Sequence, residues 1–206
     1  MSAIIVTGTD TGVGKTISAA GLTMALGAAY WKPVQAGLDG ATDTETVAAL
    51  TGCPTLPEAY RLNLPGSPHL AAEDMGIDIK IANLALPPAA GPLVVEGAGG
   101  VMVPLDRKTF FVDVFARWKA PVLLVALTGL GTINHSALSI AALRTAGCPI
   151  AGLIFNGVPD PAAEQTVVEM CGVRHLGRIA PIGALNRKTL ANAFQSIDIE
   201  SIRGLL

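Results

Sequence analysis

Lys15 and Thr16 are the first residues whose types and spacing could do chemistry, because they close the run Ile-Ile-Val-Thr-Gly-Thr-Asp-Thr-Gly-Val-Gly-Lys-Thr at positions 4–16. A short apolar strand enters a glycine-rich turn that ends in Gly-Lys-Thr, which reads as a phosphate-binding loop. Gly8, Gly12 and Gly14 let successive backbone N–H groups converge on an anion with no side chain in the way. The helix that follows adds the positive end of its dipole, Lys15 reaches the terminal phosphates as a point charge, and the Thr16 hydroxyl suits Mg²⁺. The usual spacing would put the first glycine at Thr9, whereas Gly8 stands one residue earlier. The plain alternative is a chance glycine turn before a helix. A strand ahead and Gly-Lys-Thr behind weigh against it.

A metal on bound phosphates needs oxygen ligands at a neighbouring strand end. Glu96 has that position, closing the apolar strand Pro92–Val95 and preceding Gly97-Ala98-Gly99-Gly100. Lys32 ends the short strand Ala28–Trp31, beside Pro33 and ahead of Gly37. It is either a solvated lysine or a second cation near the loop, since ligands of open α/β sheets sit outside the carboxyl ends of strands. Asp43 falls in the first turn of a helix that Thr42 and Glu45 would open as a capping box, so the dipole accounts for it as well as a metal would. Further along, the glycine turn Thr128–His135 feeds a helix running to about Ala146. It is either a second anion site, suited to a carboxylate, or plain strand-to-helix punctuation. Asn156, at the end of the strand Pro149–Phe155, suits a nucleobase edge or a turn equally. His69 reads as a surface or capping residue and His135 as a packed one.

These residues need a scaffold, and the chain supplies alternating elements. Besides those named, the pattern predicts helices at Ile17–Leu26, near Asp78–Ala85, at Thr109–Trp118 with Phe110, Val114 and Phe115 inward, at Pro161–Cys171 and at Arg187–Phe194. It also predicts extended segments at Val101–Val103, Pro121–Leu127 and Val173–Ile179. Such alternation gives an α/β fold of three layers, a central mostly parallel sheet with helices on both faces. With 206 residues, 50% hydrophobic and 15% charged, the whole span 1–206 reads as one domain with strands buried on both sides. A formal charge of −2 leaves no general attraction to nucleic acid or an anionic membrane. No apolar run has the length of a membrane span, and the N-terminus enters the first strand without a signal peptide. Cys53, Cys148 and Cys171 lack metal-type spacing and fit ordinary thiols in a reducing cytoplasm.

Taken together, the phosphate loop, Lys-Pro-Val-Gln-Ala-Gly, Val-Glu-Gly-Ala-Gly-Gly, Gly-Thr-Ile-Asn-His and the Phe-Asn-Gly strand end resemble the dethiobiotin synthetase family, in one order from Thr7 to about Pro181. The resemblance implies a P-loop enzyme, a homodimeric cyclo-ligase of biotin synthesis that uses ATP, Mg²⁺ and CO₂ or bicarbonate on 7,8-diaminopelargonate. One amine captures CO₂ as a carbamate, the γ-phosphate is transferred to it, and the second amine displaces phosphate to close a cyclic urea. By the same resemblance Thr11, Lys15 and Lys32 hold carbamate and γ-phosphate, while Thr16, Asp43 and Glu96 hold Mg²⁺. Gly12, Val13, Gly14, Lys15, Thr16 and Ile17 line the nucleotide phosphates, and Asn156, Ala180 and Pro181 line the base. Lys32 and Ala36 face the diamine, whose carboxylate goes to Leu130, Gly131, Thr132 and Asn134 of the neighbouring subunit. Ala36, Gly12 and Ala180 depart from residues common in the family, a serine, an acidic residue and a proline. A switch ATPase of the ParA and MinD kind is the main alternative; its signature lysine would stand at Asp10. A GTP switch would want Asn-Lys-x-Asp, which does not occur, and an amide-forming relative such as cobyrinate diamide synthase would need a further glutaminase domain.

Overall fold

A strand covered on both faces needs apolar or small side chains at consecutive positions. Ala3–Gly8 (β1) has them, and all six residues are buried. The structure, a computed structural model, describes residues 2–206. From β1 the chain passes through the glycine turn into α1 (Lys15–Leu26), then β2 (Ala29–Trp31), β3 (Val34–Ala36) and α2 (Asp43–Thr51). The proline-rich middle holds β4 (Thr55–Leu56), β5 (Tyr60–Leu62) and α3 (Pro68–Asp74). Regular alternation returns with β6 (Leu93–Gly100), α4 (Phe111–Trp118), β7 (Val122–Leu127), α5 (Thr132–Thr145), β8 (Ile150–Asn156), α6 (Pro161–Cys171) and β9 (His175–Ile179). Two short helices close the chain, α7 (Arg187–Ala193) and α8 (Ile199–Arg203).

The main sheet has seven strands in the order β4-β2-β6-β1-β7-β8-β9, and every pairing is parallel. β3 and β5 form a separate two-stranded parallel ribbon. Side chains alternate across the sheet with period 2, which splits the apolar residues between two cores. Ala3 and Ile5 of β1 face the core that Phe111 and Phe115 of α4, Ile140 of α5 and Val167 of α6 complete. Ile4 and Val6 face the other, with Leu22 of α1, Val47 of α2, Leu190 of α7 and Ile202 of α8. Helices therefore cover both faces, as the alternation predicts. No described helix is long and apolar enough to cross a membrane.

Small residues on α1 let its backbone come close to the C-terminal elements. A Cβ at Gly21 would lie 1.9 Å from the Phe194 ring. On the opposite face, Phe111 and Phe115 stack at 4.8 Å between ring centroids and Trp118 meets Trp31 at 5.9 Å. This aromatic group packs beneath β6, where a Cβ at Gly97 would lie 2.8 Å from the Phe115 ring.

Several elements differ from the sequence expectation. β6 continues through Glu96 to Gly100, and Val101 and Met102 form a turn rather than an extended piece. The reason is the loop beside it: Gly100 is in register with Gly8, so the strand accompanies the phosphate loop. The helix expected near Asp78–Ala85 is only a 3₁₀ turn, Ile81–Leu84. Pro87 and Pro88 block continuation, and the Lys80 N–H is donated to the Tyr60 hydroxyl instead. The helix begins at Phe111 rather than Thr109, so its inward face starts one residue later. Phe110 is 40% exposed, while Phe111, Val114 and Phe115 are buried. The terminal helix stops at Ala193 and passes into a 3₁₀ turn, Phe194–Ser196, before α8, which the pattern did not reveal.

Candidate active site

The phosphate loop is a ring that folds back on itself. A Cβ at Gly8 would lie 2.6 Å from Val13, and Gly14, at φ 96°, opens α1 in the left-handed conformation that favours glycine. The Lys15 side chain turns back across the ring, and its Nζ donates to the Asp10 carbonyl at 2.8 Å. Burial, helped by the nearby Lys32 charge, lowers its pKa to about 8.

Residues from three other elements converge next to this ring. Lys32, just past β2, is 3% exposed, which excludes the solvated reading. Its Nζ spends three donors: on Asp43 Oδ2 at 2.6 Å, Glu96 Oε1 at 2.9 Å and the Gly97 carbonyl at 2.9 Å. The Thr16 hydroxyl lies 2.9 Å from Asp43 Oδ1 and 3.0 Å from Glu96 Oε1. Tyr30 of β2 donates its O–H to Glu96 Oε2 at 2.8 Å. Burial pushes the Glu96 pKa up despite the Lys32 charge. At Asp43 burial also opposes ionisation, but Lys32 outweighs it and holds the carboxyl low. Burial would lower Lys32, yet its two carboxylate partners raise it. The cluster is thus a buried set in which one cation is shared between two carboxyl groups.

Three hard oxygen donors, a hydroxyl and two carboxylates, meet within this set, and the donor chemistry fits a small divalent cation that brings further oxygens of its own. Among the described residues no group of three or more His, Cys, Asp or Glu is placed to hold a metal ion, here or elsewhere; this set has two carboxylates, with the Thr16 hydroxyl as the third donor. The Thr42 and Glu45 capping box is present at the head of α2, so the dipole account of Asp43 holds, and the same carboxylate also meets Lys32 and Thr16. Gln35 of β3 adds to the placement by accepting the Asp43 backbone N–H at 3.2 Å.

A cleft of about 720 Å³ opens over this cluster. Thr11, Gly12, Gly14, Lys15, Thr16, Lys32, Ala36, Asp43 and Glu96 line it, together with Gln35 and the segment Pro65–Pro68. Val13 is buried under the loop and Ile17 is half-buried on α1. Asn156 sits behind the loop: its amide donates to the Val13 carbonyl at 3.0 Å, and a Cβ at Gly14 would overlap it at 2.1 Å. Asn156 is in register with Ile179, so the exposed Ala180 and Pro181 emerge beside it from the next strand. Leu130, Gly131, Thr132 and Asn134 do not line the cleft of their own chain. Leu130 is fully exposed at the tip of the turn, and His135 is exposed too, which corrects the packed reading. Thr132 is buried, and its hydroxyl has no hydrogen-bond partner among the described residues.

Tyr30, Gln35 and Ser67 are site residues that sequence reasoning passed over. Tyr30 read only as a strand residue, and Gln35 lay in the Lys-Pro-Val-Gln-Ala-Gly segment without a role. Ser67 lay in a loop whose only flagged feature was His69.

Comparison with known proteins bears on the family and the fold. Residues 2–189 match the family described as AAA domain. A protein of Novosphingobium aromaticivorans named ATP-dependent dethiobiotin synthetase BioD is 56% identical over 197 residues, covering 94% of this chain and 95% of its own. Proteins of the same name from Rhodopseudomonas palustris and Sphingopyxis alaskensis are 54% and 50% identical, the latter covering 98% of this chain and all of its own. Among solved structures, the cell division ATPase MinD of Pyrococcus furiosus superposes with a TM-score of 0.57 at 15% identity over the full length of both chains. A ParA family ATPase from Chlorobium tepidum gives 0.56 at 10% identity, covering 98% of this chain and 93% of its own. At such identities these two likenesses concern the fold alone.

Proposed function

The chain belongs to the ATP-dependent dethiobiotin synthetase family, and from that premise we infer that it is the cyclo-ligase that closes dethiobiotin from 7,8-diaminopelargonate and CO₂ with ATP and Mg²⁺ in biotin synthesis. The observation that carries the reading is Lys32, buried between Asp43 and Glu96 on the wall of the cleft that the phosphate loop opens into. Hydrolysing ATP at a P-loop needs Lys15; a second buried cation beside it suits an acid acceptor whose own negative charge must be brought up to the γ-phosphate.

In this reading the backbone of Gly12–Thr16 and the Lys15 ammonium take the phosphate chain, and Lys32 turns from its carboxylate partners Asp43 and Glu96 to hold the carbamate, with Thr11, for in-line attack. Phosphoryl transfer chiefly needs such positioning and positive charge on the equatorial oxygens. Thr16, Asp43 and Glu96 would hold the magnesium ion, which when bound neutralises charge on the phosphates. Tyr30 keeps Glu96 oriented from behind, and Gln35 does the same for Asp43. Asn156 props the loop from beneath the base, with Ala180 and Pro181 forming the base's edge.

The substrate's carboxylate is assigned to Leu130, Gly131, Thr132 and Asn134 of a second copy. The outward-facing Leu130 and the separation of this turn from its own cleft support a dimer in which each cleft is completed by its partner. The chain acts as one catalytic unit, and its three free thiols suit the cytoplasm. The test is phosphate release from Mg-ATP and bicarbonate with and without the diamine, with dethiobiotin followed by mass. Release that depends on the diamine and equals the dethiobiotin formed is expected. Hydrolysis indifferent to the diamine would replace this reading with a switch ATPase.

A further inference from the structure

Closing a cyclic urea on a diamine releases protons from nitrogen, and the charged groups of the cleft are already engaged. Lys15 and Lys32 are cations, and Asp43 and Glu96 are held by Lys32 and Thr16. A carboxylate that is also to ligate a cation cannot take up those protons without losing its role. Ser67 and His69 form a pair that is not drawn into that set.

Ser67 lines the cleft at the head of α3. A serine in that position ordinarily caps the helix by accepting a backbone N–H, but Ser67 makes no capping hydrogen bond. Its hydroxyl lies instead 2.9 Å from His69 Nδ1. Both ends of the pair are held in place. The His69 backbone N–H donates to the Pro104 carbonyl at 3.3 Å, and a Cβ at Gly37 would be 3.1 Å from Pro65, so the loop rests on the end of β3 next to Ala36. His69 also lines a second hollow of about 310 Å³, outside the cleft. The charged groups around that hollow are Glu73 of α3, Asp78 of the following segment, and Asp106, Arg107 and Lys108 ahead of α4. Glu73 is taken by Arg107 in two contacts of 2.6 Å, and Asp106 accepts the backbone N–H groups of Lys108 and Thr109, so neither occupies the imidazole. The pair connects the cleft to solvent.

We propose that Ser67 and His69 form the proton relay that deprotonates the ring-closing amine and carries its proton out of the cleft. The inference rests on the ring-closing reading above and adds to it a serine that lines the cleft and the histidine bonded to it from outside the cleft. In the Nε2–H tautomer Nδ1 accepts the Ser67 O–H, leaving the serine oxygen free to accept from the amine. As the amine lone pair forms the C–N bond, its N–H bond breaks and the proton goes to Ser67 Oγ. The Ser67 proton passes to His69 Nδ1, and phosphate leaves the carbonyl carbon with the C–O electron pair. The imidazolium then gives its Nε2 proton to water in the outer hollow, restoring the pair.

The experiment compares wild type, His69→Gln, His69→Ala and Ser67→Ala for dethiobiotin formation between pH 6.5 and 9.5, after thermal melts establish that each variant is folded. At pH 7 the His69 variants and Ser67→Ala are expected to lose on the order of 100-fold in kcat, the usual worth of a positioned proton acceptor. The diamine KM should change by less than about threefold, since ground-state binding is untouched. The deficit should shrink as pH rises toward the range where alkyl amines lose their own proton, and added imidazole should restore His69→Ala but not Ser67→Ala. Wild-type kcat in His69→Gln overturns the relay, and so does a deficit that stays constant with pH, the mark of a merely structural residue. If the wild type itself forms no dethiobiotin, the ring-closing reading falls; if it does and the variants match it, only the relay falls.

Discussion

Two turns in this molecule share a backbone geometry and differ in what surrounds them. Gly14 before α1 and Gly131 before α5 both follow a strand of the main sheet, and both stand at φ 96° as helix N-caps without a side-chain cap. The first lies at the floor of a cleft, with Lys15, Lys32 and Thr16 of the same chain beside it. The second ends in a fully exposed leucine and has no cation within its turn. A helix start is thus a generic anion receptor, and what distinguishes the two is the charge built around them. A triphosphate needs added cations and a divalent ion, whereas a single carboxylate needs only backbone N–H groups and a hydroxyl.

The contrast breaks most visibly when the cations of the first turn are removed. Lys15→Ala and Lys32→Ala should each reduce dethiobiotin formation by at least about 100-fold, as loss of a charge-stabilising donor does. Lys32→Ala should also melt earlier, because it leaves Glu96 and Asp43 without their shared cation, a loss of about 3–5 kcal/mol for a broken buried pair. Glu96 has a raised pKa in the folded state. Its ionisation therefore weighs against the fold as pH rises above the usual glutamate range, and more so once Lys32 is gone. The stability deficit of Lys32→Ala should accordingly shrink from pH 7 to pH 5; a deficit that grows would mean that Glu96 is not the group left unpaired.

At the second turn, Thr132→Val and Asn134→Ala should raise the diamine KM by about tenfold while leaving the ATP KM unchanged, the signature of lost ground-state binding. Mixing Thr132→Val with Lys15→Ala subunits sharpens the point. If the turn serves the partner's cleft, a mixed dimer holds one cleft with both defects and one with neither, and activity at diamine concentrations well below the wild-type KM should exceed that of either parent. Mixed dimers no better than the parents would place the turn in its own cleft.

The same substitution at both caps should give unequal effects. Gly14→Ala must overlap the Asn156 amide at 2.1 Å, whereas a Cβ at Gly131 meets nothing nearer than the His135 ring edge at 3.5 Å. Both incur the left-handed backbone penalty of about 1 kcal/mol, so thermal melts should place Gly14→Ala below Gly131→Ala by a further 1–3 kcal/mol, roughly the range of overpacking. Equal melting temperatures would deny the Asn156 contact any structural weight.

The smallest effect is titration of the loop lysine. With a folded-state pKa of about 8, below the usual lysine value, Lys15 binds fewer protons folded than unfolded between there and about 10.5. Its contribution to the stability of the free protein therefore rises with pH across that window, while its charge is lost to the phosphates. Nucleotide affinity, measured by titration calorimetry, should fall as pH passes up through 8; a flat profile would mean that Lys15 stays charged in the free loop.

Much of the scaffold was legible because buried parallel strands read as continuous apolar runs and glycines mark where helices begin. The proline-rich span from Cys53 to Pro92 was not. Its two short strands, β4 and β5, take their conformation from pairing with β2 and β3 rather than from a pattern of their own. The same division applies to the site. Lys15, Thr16 and the turn glycines lie within one local segment, and the chain itself carries the whole pattern of a phosphate loop there. Whether Lys32 was solvated or buried, whether Asp43 only opened a helix or also met Lys32 and Thr16, and that Ser67 would meet His69 rather than cap α3 depended on neighbours 11 to 64 residues away or on a loop held by β3 and Pro104. Only the tertiary structure decided these, because burial and charge pairing are properties of the space between elements, while a glycine's torsion and a helix's first turn belong to the chain.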